Sequence, residues 1–224
     1  MLDILYEDNH IIAVNKKPAE IVQSDKTGDT PLSEDVKIYI KNKYNKPGEV
    51  FLGVVHRIDR PVSGVVVFAK TSKALTRLNV LFQNHEIEKT YWAIVQKRPA
   101  NEQGTLINYL KKNSEKNITR VYDKEVKESK RAELSYLLLL SFKNYHLLEI
   151  HPKTGRSHQI RSQLSHIGSP IKGDIKYGSD RTNADGSIHL HARSIKFIHP
   201  ITKIEIIIKA SPPNDQLWNS IKLD

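Results

Sequence analysis

Short apolar runs bounded by turn residues dominate the chain, and this pattern is typical of β-strands. The run at 65–70 is almost continuously apolar, which favours a buried strand. The run at 189–198 alternates apolar and polar residues, as expected for a strand with one face on a core. The predicted strands are 4–6, 11–15, 65–70, 91–96, 134–141, 145–150, 189–198 and 203–210.

Helical periodicity predicts helices at 31–43, 72–83, 157–167 and 215–221. We expect Ser72 to cap the second, and Gly168 to follow the third where a C-terminal glycine belongs. Strands and helices neither alternate regularly nor form an evenly spaced sandwich. The order predicts an α+β fold, with a mixed, mainly antiparallel β-sheet, flanking helices and one domain over residues 1–224.

The segment 111–131 is highly charged and contributes almost nothing to a predicted core. Two interpretations fit it, an exposed hairpin or a solvated loop, and the loop is favoured. In either case its cations could contact phosphates.

The net charge of +10 is the strongest global property of the chain. With a pI near 9.6, such a surface attracts polyanions, so the charge favours a nucleic-acid partner. An anionic membrane would attract the same surface, but no apolar run reaches the length of a membrane span.

The chain has no cysteine, which excludes disulfides, thiolate catalysis and Cys-liganded zinc. Acidic residues lie too early for a secretory signal, so we expect a cytoplasmic protein. No Gly-rich phosphate loop is present, and no nucleotide cofactor is expected.

The first candidate site is Asp59 in the stretch 53–70. His56, Arg57 and Arg60 surround its carboxylate, and these potential cations favour the ionised form. An ionised carboxylate in a rigid turn between strands can act as a nucleophile or a base. Alternatively, Asp59 only pairs with an arginine to hold the turn.

The second candidate is a group of cations in 149–178. If residues 157–167 are helical, Ser157, His158 and Arg161 share a side away from the apolar stripe, and Gly155 precedes the first helical N–H groups. A solvated basic face is the alternative to a phosphate or active-site role. The cations are Lys153, Arg156, His158, Arg161, His166, Lys172 and Lys176.

The third candidate is Tyr91 in a predicted strand that follows Lys89. A tyrosine there is usually a core residue with a bonded hydroxyl, but it can also stack on a base or move a proton. The pair His189 and His191 has a spacing that suits a metal, yet no acidic cluster completes a site. We therefore expect no metal.

Five segments, in this order along residues 3 to about 210, resemble the RluA-type family of RNA pseudouridine synthases. The Asp59 segment is similar to the family's catalytic signature, and the Tyr91 segment to its Lys-x-Tyr strand. The segments are "YEDNHIIAVNKKP", "HRIDRPVSGVVVFAK", "EKTYWAIV", "HPKTGRSHQIRSQLSHIGSPIKGDIKYG" and "LHARSIKFIHP".

The resemblance implies a single pseudouridine synthase catalytic domain that uses no cofactor and flips the target uridine out of its stack. It implies that Asp59 is the essential nucleophile, attacking either ribose or base, that Arg161 salt-bridges Asp59, and that Tyr91 packs on the base. It also implies that Arg57 replaces the flipped nucleotide. The other residues expected to bind RNA are His56, Arg60, Lys89, Lys153, Arg156, His158 and Lys172.

The family often carries an N-terminal S4 RNA-binding module, and here we expect the catalytic domain alone. The expected substrate is rRNA or tRNA, and the expected state is a monomer. The sequence does not distinguish the two RNAs or name the uridine. The alternative function is a non-catalytic RNA-binding protein that keeps the fold, and a third is a metal-dependent hydrolase built on His189 and His191.

Overall fold

The computed structural model describes residues 2–25 and 28–221. The strands in these ranges are β1 (Ile4–Glu7), β2 (Ile11–Lys16), β3 (Gly53–Val54), β4 (Ser63–Ala69), β5 (Glu88–Val95), β6 (Gln103–Asn113), β7 (Ile118–Tyr122), β8 (Lys130–Ser141), β9 (His146–Pro152), β10 (Leu190–Ile198) and β11 (Glu205–Lys209). The helices are α1 (Leu32–Lys43), α2 (Ser72–Gln83), α3 (Gln159–His166) and α4 (Gln216–Asn219), with a 3-10 turn at Ile175–Tyr177.

The predicted α+β class with a mainly antiparallel sheet is confirmed, and all eight predicted strands and four predicted helices form. The predicted strands did not include β3, β6 or β7, although Asp59 was expected in a turn between strands and a hairpin over 111–131 was the second interpretation. The preference for a loop over 111–131 was wrong, because β6 and β7 pair as an antiparallel hairpin and β8 begins at Lys130. Polar positions in β6 hide its strand character.

The chain divides into two compact units, Met1–Ile87 with Ala192–Trp218, and Glu88–His191 with Asn219–Asp224. Whether 1–224 acts as a single domain stays a prediction, and the two ends of that range lie outside the described residues.

In the first unit, the continuously apolar β4 is buried over its whole length and pairs antiparallel with β2. β1 lies on the other side of β2, and β11 pairs with β10. Helix α2 packs Ala74 and Leu78 on this sheet. The core consists of Ile11, Ala13, Val65, Val67, Ala69, Ala74, Leu78, Ile87, Ile195, Phe197, Ile208 and Ala210.

The N-cap of α2 corrects one prediction. Thr71, not Ser72, has the extended cap conformation, and its hydroxyl oxygen accepts a hydrogen bond from the N–H of Ala74 at 3.2 Å.

In the second unit, β9 lies between β5 and β8, and β6 pairs with both β8 and β7, all antiparallel. Helix α3 begins at Gln159, two residues later than predicted, because His158 adopts a left-handed conformation with φ 51°. The predicted C-terminal glycine is confirmed. Gly168 has φ 79°, and the N–H of Ser169 donates to the carbonyl of Leu164 at 2.9 Å.

Candidate active site

The loop that carries Asp59 joins β3 to β4 in the first unit and is fixed at both ends. Nε2 of His56 accepts a hydrogen bond from the N–H of Val67 in β4 at 2.9 Å, and its ring stacks on Phe82 with centroids 5.0 Å apart. The carbonyl of Asp59 accepts from the N–H of Val62 at 3.0 Å, which closes a turn before β4. The half-buried Asp59 therefore lies on a loop that hydrogen bonds fix near both of its ends.

Gly64, just after this turn, is required by the close approach of another strand. Its φ is 116°, and a Cβ built there would lie 2.3 Å from the carbonyl oxygen of Ala192. No other residue fits without moving β10. The Ser-Gly step of the quoted segment thus has a packing cause.

Lys16 is a residue of this site that sequence reasoning missed. It is fully buried, and its Nζ donates to the carbonyls of Lys17 at 2.8 Å and Arg60 at 3.1 Å. Burial lowers the pKa of Lys16 to about 7, while the charges of Glu20 and Asp59 oppose that shift. In the sequence, Lys16 stands directly after the predicted strand 11–15, and nothing there indicates its burial.

The two arginines beside Asp59 are both exposed. Arg60 forms an ion pair with Asp29 at 2.5 Å, and both side chains remain about half open to water. Arg57 makes no side-chain hydrogen bond or ion pair within residues 2–25 and 28–221. Both guanidinium groups are therefore available to a polyanion.

In the second unit, Tyr91 lies in β5 directly opposite the buried Ile150 of β9. Lys89 precedes it by two residues, so both side chains leave the same face. Burial lowers the pKa of Lys89. A Cβ built on Gly155 would lie 3.9 Å from Lys89 Nζ, which puts this lysine beside the glycine turn that precedes α3.

Arg161 in α3 is buried and holds a bidentate ion pair that sequence reasoning did not find. Its Nε donates to Oδ2 of Asp174 at 2.6 Å, and one terminal nitrogen donates to Oδ1 at 2.9 Å. The Tyr177 ring lies 5.1 Å from the guanidinium carbon. A guanidinium has five N–H donors, so this pair leaves capacity for a second acceptor.

The late start of α3 corrects the expected arrangement of Ser157 and His158. Both precede the helix and do not share a helical side with Arg161. Nδ1 of His158 lies 2.8 Å from the hydroxyl of Tyr177, and Thr119 N–H donates to the same hydroxyl. His158 therefore belongs to the packing around Tyr177.

The remaining predicted cations of this unit differ in exposure. Lys153 is 70% exposed and pairs with Glu133 at 2.8 Å. Arg156 is exposed, and its Nε donates to a backbone carbonyl at 3.0 Å. Lys172 is half-buried, and its Nζ donates to Asn183 at 2.6 Å. Lys153 and Arg156 are thus exposed, and so are His166 and Lys176 of the same group.

In the described part of the chain, no group of three or more His, Asp or Glu side chains is arranged to hold a metal ion. His189 is buried, and its Nδ1 lies 2.9 Å from the side-chain nitrogen of Asn183. Among the same residues, no helix has both the length and the apolar character that crossing a membrane requires.

A family model described as RNA pseudouridylate synthase matches residues 10–166. The chain belongs to this family. Tyr91, Asp59 and Arg161 all lie inside the matched range, whereas Lys172 and Asp174 follow it. Members of the RNA pseudouridylate synthase family are isomerases that act on RNA, so the predicted family, enzyme class and RNA substrate are confirmed.

Two curated relatives extend this similarity over the whole chain. A tRNA pseudouridine synthase C of Vibrio cholerae is 34% identical over 99% of this chain and 94% of the relative. A ribosomal large subunit pseudouridine synthase D of Zymomonas mobilis is also 34% identical, over 96% of this chain but 70% of the relative.

Among solved structures, human RNA pseudouridylate synthase domain containing 4 superposes with a TM-score of 0.78. It covers 95% of this chain and 89% of that chain at 23% identity. At that identity the likeness supports the pseudouridylate synthase fold. The constellation of Asp59, Tyr91 and Arg161 stays a prediction.

Proposed function

We propose that this protein converts uridine to pseudouridine in tRNA. The observation that carries the choice of tRNA is the match to tRNA pseudouridine synthase C, which extends over 99% of this chain and 94% of the relative. The ribosomal large subunit pseudouridine synthase D of equal identity is aligned over only 70% of its length. The alignment over almost the full length of both proteins therefore favours tRNA as the substrate.

In the proposed reaction, the N1–C1′ bond of the target uridine breaks and a C5–C1′ bond forms. The C5 proton leaves and N1 gains a proton, so atoms and electrons balance without a cofactor. Asp59 is the nucleophile, on ribose or base, and it must stay ionised when RNA excludes water from the pocket. The negative charge of Asp59 and the buried ammonium of Lys16 attract each other.

Tyr91 packs on the extruded base and assists removal of the C5 proton, and Arg161 salt-bridges Asp59. Arg57, exposed on the Asp59 loop, fills the space left in the stack. Extrusion costs a few kcal/mol, which phosphate contacts offset. His56, Arg60, Lys89, Lys153, Arg156, His158 and Lys172 are the residues proposed for RNA binding.

The decisive experiment maps pseudouridine in RNA from cells with and without this gene. We expect a uridine in tRNA to lose its modification while rRNA is unchanged. Loss confined to large-subunit rRNA would contradict the choice of tRNA. In vitro, release of tritium from RNA labelled at uridine C5 separates turnover from binding, since a non-catalytic RNA-binding protein releases none.

We further propose a cytoplasmic monomer that needs no metal, with residues 1–224 acting as a single catalytic domain. Light scattering of the purified protein should give a mass near 25.6 kDa. A chelator should leave tritium release unchanged, whereas inhibition would favour the metal-dependent alternative.

A further inference from the structure

The hairpin of β6 and β7 in the second unit has one covered side and one open side. On the covered side, Gln163 of α3 donates to the side chain of Asn108 at 2.8 Å. The hydroxyl of Thr119 donates to the carbonyl of Ser157 at 2.9 Å. Successive side chains of a strand point to opposite faces. The residues next to Asn108 and Thr119 in sequence therefore point to the open side of the hairpin.

The open side carries two tyrosines in direct register. Tyr109 of β6 lies opposite Tyr122 of β7, and on its other flank it lies opposite Arg131 of β8. Lys111 and Arg120 form the next row. We call this set the tyrosine face: Tyr109, Lys111, Arg120, Tyr122 and Arg131.

The tyrosine face is partly open to water: Arg120 and Arg131 are exposed, and Tyr109, Tyr122 and Lys111 are half-buried. Ile107, two residues before Tyr109 on the same side of β6, is 49% exposed. Leu137 of β8 lies on that side too and is 41% exposed. Neither tyrosine hydroxyl makes a hydrogen bond to any residue in 2–25 or 28–221.

The charge of the tyrosine face is positive and only partly balanced. Lys111 pairs with Glu128 at 2.9 Å, and Arg131 with Glu133 at 2.7 Å. Arg120 is exposed and has no side-chain hydrogen bond or ion pair in the described segments. Like charges directly opposite each other in a sheet cost stability, so a bound anion between Arg120 and Lys111 would relieve repulsion.

We propose that the tyrosine face binds a single-stranded segment of RNA by stacking unpaired bases on Tyr109 and Tyr122. The inference rests on the proposed function, since it names how part of the RNA substrate is held. Aromatic rings interleaved with cations on an open sheet suit this ligand, because every base offers a π-face and every nucleotide a phosphate. The segment 111–131 holds eight Lys and Arg against four Asp and Glu, which complements a polyanion.

This site is separate from the Tyr91 side chain. Trp92 lies opposite Glu149, and Glu149 lies opposite Leu137, so that row belongs to the open side. Tyr91 directly precedes Trp92 in β5, so its side chain points to the opposite face of the sheet. The tyrosine face thus holds RNA outside the pocket that takes the flipped uridine.

The test measures the Kd of a fluorescent single-stranded oligoadenylate, which has no uridine to occupy the catalytic pocket. Tyr109→Leu/Tyr122→Leu should raise Kd about 25-fold or more, because each of the two stacked bases is worth at least about a factor of five in affinity. Tyr109→Phe/Tyr122→Phe keeps both rings and should stay close to wild type. Equal affinity for the wild type and the Leu pair would overturn the proposal, and so would equal weakening by the Phe pair.

A second variant tests the charge. Arg120→Ala should reduce the slope of log K against log salt by about 0.7, the value for one lost phosphate contact on a single strand. Lys73→Ala removes an exposed cation from α2 in the first unit and should leave the slope unchanged. Should the Leu pair fail to fold by circular dichroism, Tyr122→Leu and Arg120→Ala carry the test, and wild-type affinity in both would overturn the proposal.

Tritium release from uridine-labelled tRNA, measured on the same proteins, separates the two proposals. If the wild type releases tritium but the Leu pair binds oligoadenylate as tightly as the wild type does, only the tyrosine-face proposal is wrong. If the wild type releases no tritium but the Leu pair binds oligoadenylate more weakly than the wild type, the synthase proposal is wrong and the tyrosine-face proposal is supported.

Discussion

The ammonium of Lys16 donates to the carbonyl oxygen of Arg60 at 3.1 Å, which ties the end of β2 to the loop that carries Asp59. The N–H of Ala19 donates to the same oxygen at 3.0 Å. Two donors, one at the end of β2 and one just after it, therefore hold the carbonyl next to the predicted nucleophile. Lys16 interacts electrostatically with Asp59, so a protonated Lys16 attracts the carboxylate that the reaction needs.

Replacing Lys16 by Met should change how stability depends on pH. Burial lowers the pKa of Lys16 from 10.5 to about 7, so unfolding between these pH values takes up a proton. The Lys16 contribution is therefore least favourable below pH 7 and becomes more favourable as pH rises towards 10.5. The free energy of unfolding of the wild type, minus that of Lys16→Met, should rise by up to about 1.4 kcal/mol per pH unit in that window.

Urea unfolding of both proteins at a series of pH values measures this difference, and subtraction removes the titration of all other groups. Parallel profiles for wild type and Lys16→Met would show that the lysine keeps its ordinary pKa despite its burial.

Replacing Ala19 by Gly should stabilise the protein. Ala19 has φ 70°, a left-handed conformation that costs an L-residue about 1 kcal/mol or more. Glycine relieves this strain but loses more backbone entropy on folding, so the expected gain is about 0.5–1 kcal/mol. Thermal unfolding checks it. Ala184 is exposed and has no positive φ, so Ala184→Gly should leave the stability equal or lower. The same gain at both positions would show that Ala19 is not strained.

Patterns along single segments predicted much of the fold. The continuous apolar run of β4 and the position of Gly168 after α3 both follow from local rules of burial and capping. The left-handed His158 does not, because its conformation goes with a contact to Tyr177, 19 residues further on. A helical pattern alone cannot show that a tertiary contact delays the first turn.

The candidate site shows the same limit. Asp59, Tyr91 and Arg161 were identified because they stand in recognisable segments. Lys16 and Asp174 were not, since their roles depend on acceptors or donors supplied by other segments. Burial of a charged group cannot be inferred until its partners are known.

Replacing Asp174 by Asn should destabilise the protein strongly. Asp174 and Arg161 are 2% and 5% exposed, and the amide leaves the guanidinium without its charged acceptor. Breaking a buried pair from one side costs about 3–5 kcal/mol. The exposed pair of Arg98 and Glu102 supplies the control, and Arg98→Ala should change stability by less than about 1 kcal/mol. Chemical denaturation measures both, and equal small losses would mean that the buried pair adds nothing.

Replacing Asp59 by Asn should abolish isomerisation and preserve RNA binding. The amide keeps the size of the side chain and leaves the turn from Asp59 to Val62, which uses backbone atoms, intact. It lacks the negative charge that a nucleophile needs. We expect tritium release from uridine-labelled tRNA at the rate without enzyme, while the Kd for tRNA stays at or below that of the wild type, because one charge that repels phosphates is gone.

Asp29→Asn is the matched control for this variant. Asp29 is an exposed carboxylate in the same unit and pairs with Arg60, so its loss alters local charge equally without touching the proposed nucleophile. It should keep both turnover and binding. Turnover near wild type in Asp59→Asn would remove Asp59 from its catalytic role. Loss of RNA binding together with turnover would instead mean that the carboxylate shapes the loop, since an intact surface with a neutral side chain should still hold RNA.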